Sequence, residues 1–289
     1  MIVYERSLSR LMSVQRKRGA VLFCAALLLV PATAAAQSEL ARARQLYNQG
    51  RFDESIAAAE IARSRAKTAA SAGLVIARAR LERFRKSGNQ QDLSESRKEL
   101  ITLNPKALSA PEAVEWNIGL GEALVFEHEL GPASKIFGET IPLARTRLTP
   151  AEMEKLIEWW ASALSGLAET LPGSSRAEKY RDLLSMLKMV TDEHPPSRAV
   201  VYWSVVASRG TGDFDSSWNA AVAGWIRARS MDGGDQLRRD LDTFVTGTLI
   251  PERAQARTGQ PLDVRATTAE VFAITEEWRG LTERWGGTD

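Results

Sequence analysis

Apolar positions along the chain recur at helical rather than strand intervals. After Thr149, the residues Met153, Leu156, Ile157, Trp160, Leu164 and Leu167 fall on one helical face. Ser109-Ala-Pro-Glu112 and Thr149-Pro-Ala-Glu152 read as capping boxes with proline in the first turn, so helices are predicted to start there. Val200-Val-Tyr-Trp-Ser-Val-Val206 has the β-branched composition of a strand, but it runs directly into Gly210-Thr-Gly212 and reads as a helix ending at a turn. A further helix is predicted from Gly234 to about Gly247. The polar, proline-bearing stretch from Pro251 to Asp263 then reads as a linker, assigned to residues 251–265. Thr267-x-x-Glu270 is placed to cap a last helix over residues 266–286. Its apolar residues Val271, Ile274, Trp278, Leu281 and Trp285 form a narrow seam. That seam is expected to pack on the preceding helices as a cap rather than against another chain.

The N-terminal 36 residues follow a different pattern. Arg16-Lys17-Arg18 precedes an almost unbroken apolar run from Ala20 to Val30, then Pro31, then Ala34-Ala35-Ala36 before Gln37. Basic, apolar and small-residue regions in that order predict a secretory signal peptide over residues 1–36, cleaved near Ala36. Residues before Met12 add nothing to this order, which makes Met12 a candidate start. The apolar run is shorter than the roughly 20 residues that span a bilayer, so no stable membrane span is expected after cleavage. Phe23 before Cys24 is too bulky for a lipid-attachment signal. A periplasmic or secreted product is expected.

This leader changes the reading of charge. The chain carries a formal net charge of +2. Residues 1–36 hold five of the bases and one of the acids, and the remainder is near neutral with its charges interspersed. A nucleic-acid partner calls for a concentrated basic face, and none is expected. The one cysteine, Cys24, lies in the leader, which excludes a disulfide framework, a thiolate metal site and a cysteine nucleophile from the remainder.

Residues 37–250 repeat. Ala41 to Ala62 places small residues at Ala43, Ser55 and Ala62, a turn glycine at Gly50 and an aromatic at Phe52. Gly50 supplies a left-handed turn, the small residues let two helices approach closely, and Phe52 fills the wedge between them. Gly212 and Phe214 repeat the turn and the aromatic. Leu120-Gly121 with Leu130 and Ala133 matches a helix crossing, and Leu103-Asn104-Pro105 and Glu193-His194-Pro195 close units. Gly88 and Gly173 mark two more units by spacing. In these residues the chain resembles the tetratricopeptide repeat family, with units longer than that family's period of about 34 residues. The resemblance implies an all-α fold: a right-handed superhelical solenoid of antiparallel helix pairs, here closed by a C-terminal capping helix.

Candidate chemistry is sparse. Glu127-His128-Glu129 lacks the second histidine of a zinc helix, because Pro132 stands in its place, so His128 reads as a turn residue. His194 precedes Pro195-Pro196 at a helix end. Gly210-Thr-Gly212 is too short for a dinucleotide fingerprint. No catalytic, metal or cofactor role is assigned, and an enzyme is not expected. Eight tryptophans are mostly assigned to helix packing. The adjacent Trp159 and Trp160 lie about 100° apart around a helix, which predicts unequal burial.

The repeat resemblance implies a groove lined by the first helix of each unit, holding a protein or peptide partner. Carried over by position, its lining is Arg44, Tyr47 and Asn48 in the first unit, Glu122 and Phe126 in the third, and Tyr202 and Arg209 in the fifth. An envelope-assembly subunit acting through the C-terminal helix is the alternative, and a small-molecule carrier or enzyme is a third.

Overall fold

Residues in the left-handed region mark the joints of the fold. The structure, a computed structural model, describes residues 39–191, 196–259 and 264–286, whose regular elements are all helices, without strands. The leader, Cys24 and His194 lie outside the described residues. The chain divides into two units, one ending at Thr149 and the other beginning at Pro150.

The first unit holds α1 (Glu39–Asn48), α2 (Phe52–Arg63), α3 (Ala69–Ser87), α4 (Gln90–Thr102), α5 (Ala110–Phe126) and α6 (Leu130–Ala144), with a short 3-10 turn at Pro105–Ala107. Consecutive helices pack as pairs, α1 on α2, α3 on α4 and α5 on α6, and the first helices also touch in order, α1 with α3 and α3 with α5. The pairs turn at Gly50, Gly88 and His128, whose φ angles are 74°, 70° and 63°. At Gly50 the amide donates to Tyr47 O and the next amide to Leu46 O; at His128 the same pair of bonds runs to Val125 O and Leu124 O. This is the two-bond left-handed cap that consumes the last carbonyls of a helix. Gly88 makes the simpler one-bond form to Phe84 O. Each following helix starts two residues after the left-handed one, at Phe52, Gln90 and Leu130.

Small residues then bring the paired helices together. Ala43, Ala58, Ala59 and Ala62 are buried with Leu46, Val75 and Ile76 in one cluster. Gly121 of α5 lies under Phe137 of α6, where a β-carbon would stand 2.4 Å from the ring. Ser109 caps α5 with Glu112 in the box read from the sequence.

The second unit holds α7 (Pro150–Glu169), α8 (Gly173–Thr191), α9 (Arg198–Gly210), α10 (Phe214–Arg227), α11 (Gly234–Phe244), α12 (Ile250–Thr258) and α13 (Val264–Gly286). Here α7 packs on α8, α9 on α8, α7 and α10, and α13 on α12 and α10. The Gly212 turn repeats the Gly50 turn bond for bond, with Gly212 N to Arg209 O and Asp213 N to Ser208 O. In both hairpins a serine of the second helix donates to a first-helix carbonyl twelve residues back, Ser55 Oγ to Ala43 O and Ser217 Oγ to Val205 O, each at 2.8 Å.

Three expectations are corrected in this unit. The stretch read as a linker from residue 251 is helical through Thr258, because a π-helical turn at Val245–Leu249 joins α11 to α12 and places Pro251 in a first turn, where its missing N–H costs little. Arg253 and Ala254 bury there, which polar composition alone conceals. Residues from Val264 are already helical, so Thr267 is an interior residue bonded to Thr258 Oγ1, and Glu270 pairs with Arg257 instead of closing a capping box. Trp159 and Trp160 are equally buried, 4 % exposed each, since α7 is covered around most of its circumference between Leu156 and Ala168.

Candidate functional site

Counting back from each left-handed joint puts Arg44, Glu82 and Glu122 at one register position, six residues before Gly50, Gly88 and His128. They stand on α1, α3 and α5, the three first helices that touch in order. The bonds between these helices run through partners at other positions, Arg44 to Glu112 of α5 and Glu122 to Arg78 of α3.

Arg78 of α3 donates to Glu122 Oε2 of α5 at 3.1 Å, and both side chains are largely buried. Its guanidinium also faces Tyr47 of α1. Desolvation works against the Arg78 charge, but Glu122, Tyr47 and the nearby Glu82 and Glu115 outweigh it and hold its pKa above the ordinary value. The Tyr47 phenol is pushed up to about 12, chiefly by burial, with Arg78 opposing. Its ring leans on Phe52, 5.7 Å between centroids. One turn back along α1, Arg44 hydrogen-bonds the Glu112 carboxylate at the start of α5. Burial resists ionisation of Glu112, yet hydrogen bonds from Ser71 and Ser109 and the Arg44 charge together keep its carboxyl below the usual range. Glu112 Oε2 also closes the helix cap by accepting from Ser109 N and Oγ, each at 2.7 Å.

The five residues expected to line a groove in the first unit differ in exposure. Arg44 and Asn48 are exposed, Tyr47 and Phe126 half-buried, and Glu122 buried beneath Arg78. Phe126 meets Phe84 of α3 edge to face at 4.9 Å. Sequence reasoning missed Arg78, Phe84 and Glu112. The first two sit on α3, whose repeat is recognisable by spacing alone, and Glu112 had been assigned only its capping role. The run of arginines along α3 at Arg78, Arg80, Arg83 and Arg85 was a signal available in the sequence.

In the second unit the two expected residues part company. Tyr202 does not line an open surface. It is 9 % exposed, wedged edge-on against Trp203 at 5.4 Å and Phe244 at 6.0 Å, because α11 covers that side of α9. Arg209 binds Glu252 of α12 through two bonds, one at 2.6 Å from Nε, and reaches Glu169 of α7 at 3.2 Å. Glu169 also accepts from the buried Tyr180 hydroxyl at 2.8 Å. The Glu252 hydrogen bonds are the main reason the Arg209 pKa stands above its ordinary value, and desolvation opposes them. Arg209 thus joins α7, α9 and α12 beside an open cleft of about 560 Å³ lined by Arg176, Phe214 and Gln255.

A second cleft, of about 460 Å³, lies beside the Gly50 turn. Its charges are mutually paired, Arg83 with Asp53 and Asp92, while Lys86 lies 4.4 Å above the Phe52 ring. Among the described residues no group of three or more His, Cys, Asp or Glu side chains is placed to share a metal ion, and no helix is long and apolar enough to cross a membrane. The arrangement in the first unit offers hydrogen-bond donors, carboxylates and aromatic edges along the two seams between α1, α3 and α5. No family model, curated protein or solved structure matches this chain.

Proposed function

We propose that the chain is a scaffold of the tetratricopeptide kind that holds a protein or peptide segment along the α1–α3–α5 face. The observation that supports it is the Tyr47–Arg78–Glu122 network, which ties polar groups of three neighbouring helices to one another. Stacked first helices of a right-handed solenoid present such a row along a concave surface. The mixed signs along the row suit a segment carrying both charges rather than a polyanion. With residues 1–36 read as a leader, the partner is sought in the periplasm or the medium.

Asn48 and Tyr47 provide the test. A partner captured from envelope extract by the full chain should bind the Tyr47→Ala/Asn48→Ala variant on the order of tenfold more weakly, about 1.4 kcal/mol, with the helical circular dichroism unchanged. Undiminished affinity would remove the face from consideration.

A further inference from the structure

The tryptophans near the end of the second unit form one slot. Trp218 and Trp225 lie two turns apart on α10, and Trp278 of α13 enters between them edge-on, with centroids 5.5 Å and 6.4 Å away. An arginine stacks on each of the α10 rings: Arg253 of α12 lies 4.5 Å from the Trp218 centroid, and Arg238 of α11 lies 4.2 Å from that of Trp225. Arg257 extends the basic rim along α12, and Asp215 of α10 offsets it in part, pairing with Arg253 at 2.8 Å and approaching Arg257 at 3.9 Å. The helix in the slot answers in charge. Glu270 pairs with Arg257 at 2.8 Å, Glu277 approaches Arg253 at 4.0 Å, and Trp278 Nε1 donates to Asp242 of α11 at 3.1 Å. An aromatic floor, a basic rim and a tryptophan anchor flanked by acids make up a helix-in-groove recognition mode.

The slot is loosely filled. Of the 23 residues of α13 only Ile274 and Trp278 are buried, while Val264, Phe272 and Trp285 stay exposed. Arg253 Nη1 and Arg238 Nη2 are buried without a hydrogen-bond acceptor. A buried guanidinium donor without an acceptor is costly, and a helix with better placed carboxylates would relieve that cost. We infer that α13 is a displaceable strap over a docking slot whose ligand is an acidic amphipathic helix with a tryptophan anchor. This slot uses none of the residues of the α1–α3–α5 face.

The test uses the full chain and, as probe, a labelled peptide with the sequence of residues 264–286. Glu270→Lys/Glu277→Lys weakens the strap at two partly exposed side chains and leaves the helices beneath it intact. The peptide should bind this variant on the order of tenfold more tightly than the unaltered chain, in which it competes with an attached copy. Hydrogen exchange across α13 should quicken in the variant, and a peptide carrying Trp278→Ala should not bind. The inference falls if α13 exchanges faster yet the peptide binds neither protein. It falls equally if α13 keeps its protection in the variant, or if the Trp278→Ala peptide binds as well as the first.

Discussion

A methyl group on Gly210 would stand 2.1 Å from Cδ2 of Tyr180, well inside van der Waals contact. Tyr180 cannot move aside freely, because its hydroxyl is held between Ser165 Oγ at 2.9 Å and Glu169 at 2.8 Å and its side chain is fully buried. Gly210→Ala should therefore cost about 1–3 kcal/mol by overpacking, read as a lower urea midpoint. Gly173 is the control. It has open space around it at the start of α8, so Gly173→Ala should leave stability unchanged or raise it by about 0.4–1 kcal/mol. Equal effects at the two sites would refute the close approach.

His128 occupies the left-handed joint that glycine fills at Gly50 and Gly212. A side chain there costs roughly 1–2 kcal/mol, part of which glycine returns as greater freedom in the unfolded chain. His128→Gly should stabilise the protein by about 1 kcal/mol at most, whereas His128→Ala keeps the backbone strain and should not. A chemical denaturation series on the three proteins distinguishes them, and a gain from alanine equal to that from glycine would contradict the strain.

The same joint shows how far the sequence could be read. Gly50 and Gly212 were recognisable because glycine and a following aromatic perform local jobs that no other residue types do as well. His128 could be placed at a turn by register but not assigned its left-handed φ, since histidine has no preference strong enough to announce it. Longer-range facts left weaker traces. Tyr202 and Trp203 look alike as members of a first helix, and only the packing of α11 decides that Tyr202 is covered. Pro251 signals a break in any one-dimensional reading, and the π-helical turn before it is a tertiary accommodation. Arg44, Tyr47, Glu122 and Phe126 were placed by analogy with a repeat, while the arginine that links Tyr47 to Glu122 came from the least recognisable unit.

Tyr47 gives the network an alkaline signature. Its phenol stands at about 12 in the folded protein against 10.0 when unperturbed. A raised pKa means the proton is held more tightly in the folded state, so this stability is fully present below pH 10 and lost as pH rises toward 12. The loss is at most about 2–3 kcal/mol for a two-unit shift. Tyr47→Phe keeps the ring and removes the titration, so its unfolding free energy should fall less steeply between pH 10 and 12. Parallel curves for the two proteins would show that the phenol is not desolvated.

Asp242 makes the opposite demand on a carboxylate. Burial raises its pKa, against the hydrogen bond from Trp278 and the charge of Arg238. The neutral acid is thus favoured on folding, so the stability it contributes is present below the unfolded value of 3.8 and lost as pH rises through the folded one. Once ionised, the carboxylate is a net burden, borne because Trp278 Nε1 needs an acceptor. Asparagine keeps that acceptor without the charge. Asp242→Asn should therefore melt at a higher temperature than the parent at pH 7, with the difference shrinking toward pH 3. If the variant melts lower at pH 7, the attraction of the Arg238 charge and the Trp278 hydrogen bond matter more than the desolvation, and the carboxylate belongs to what holds α13 in its slot.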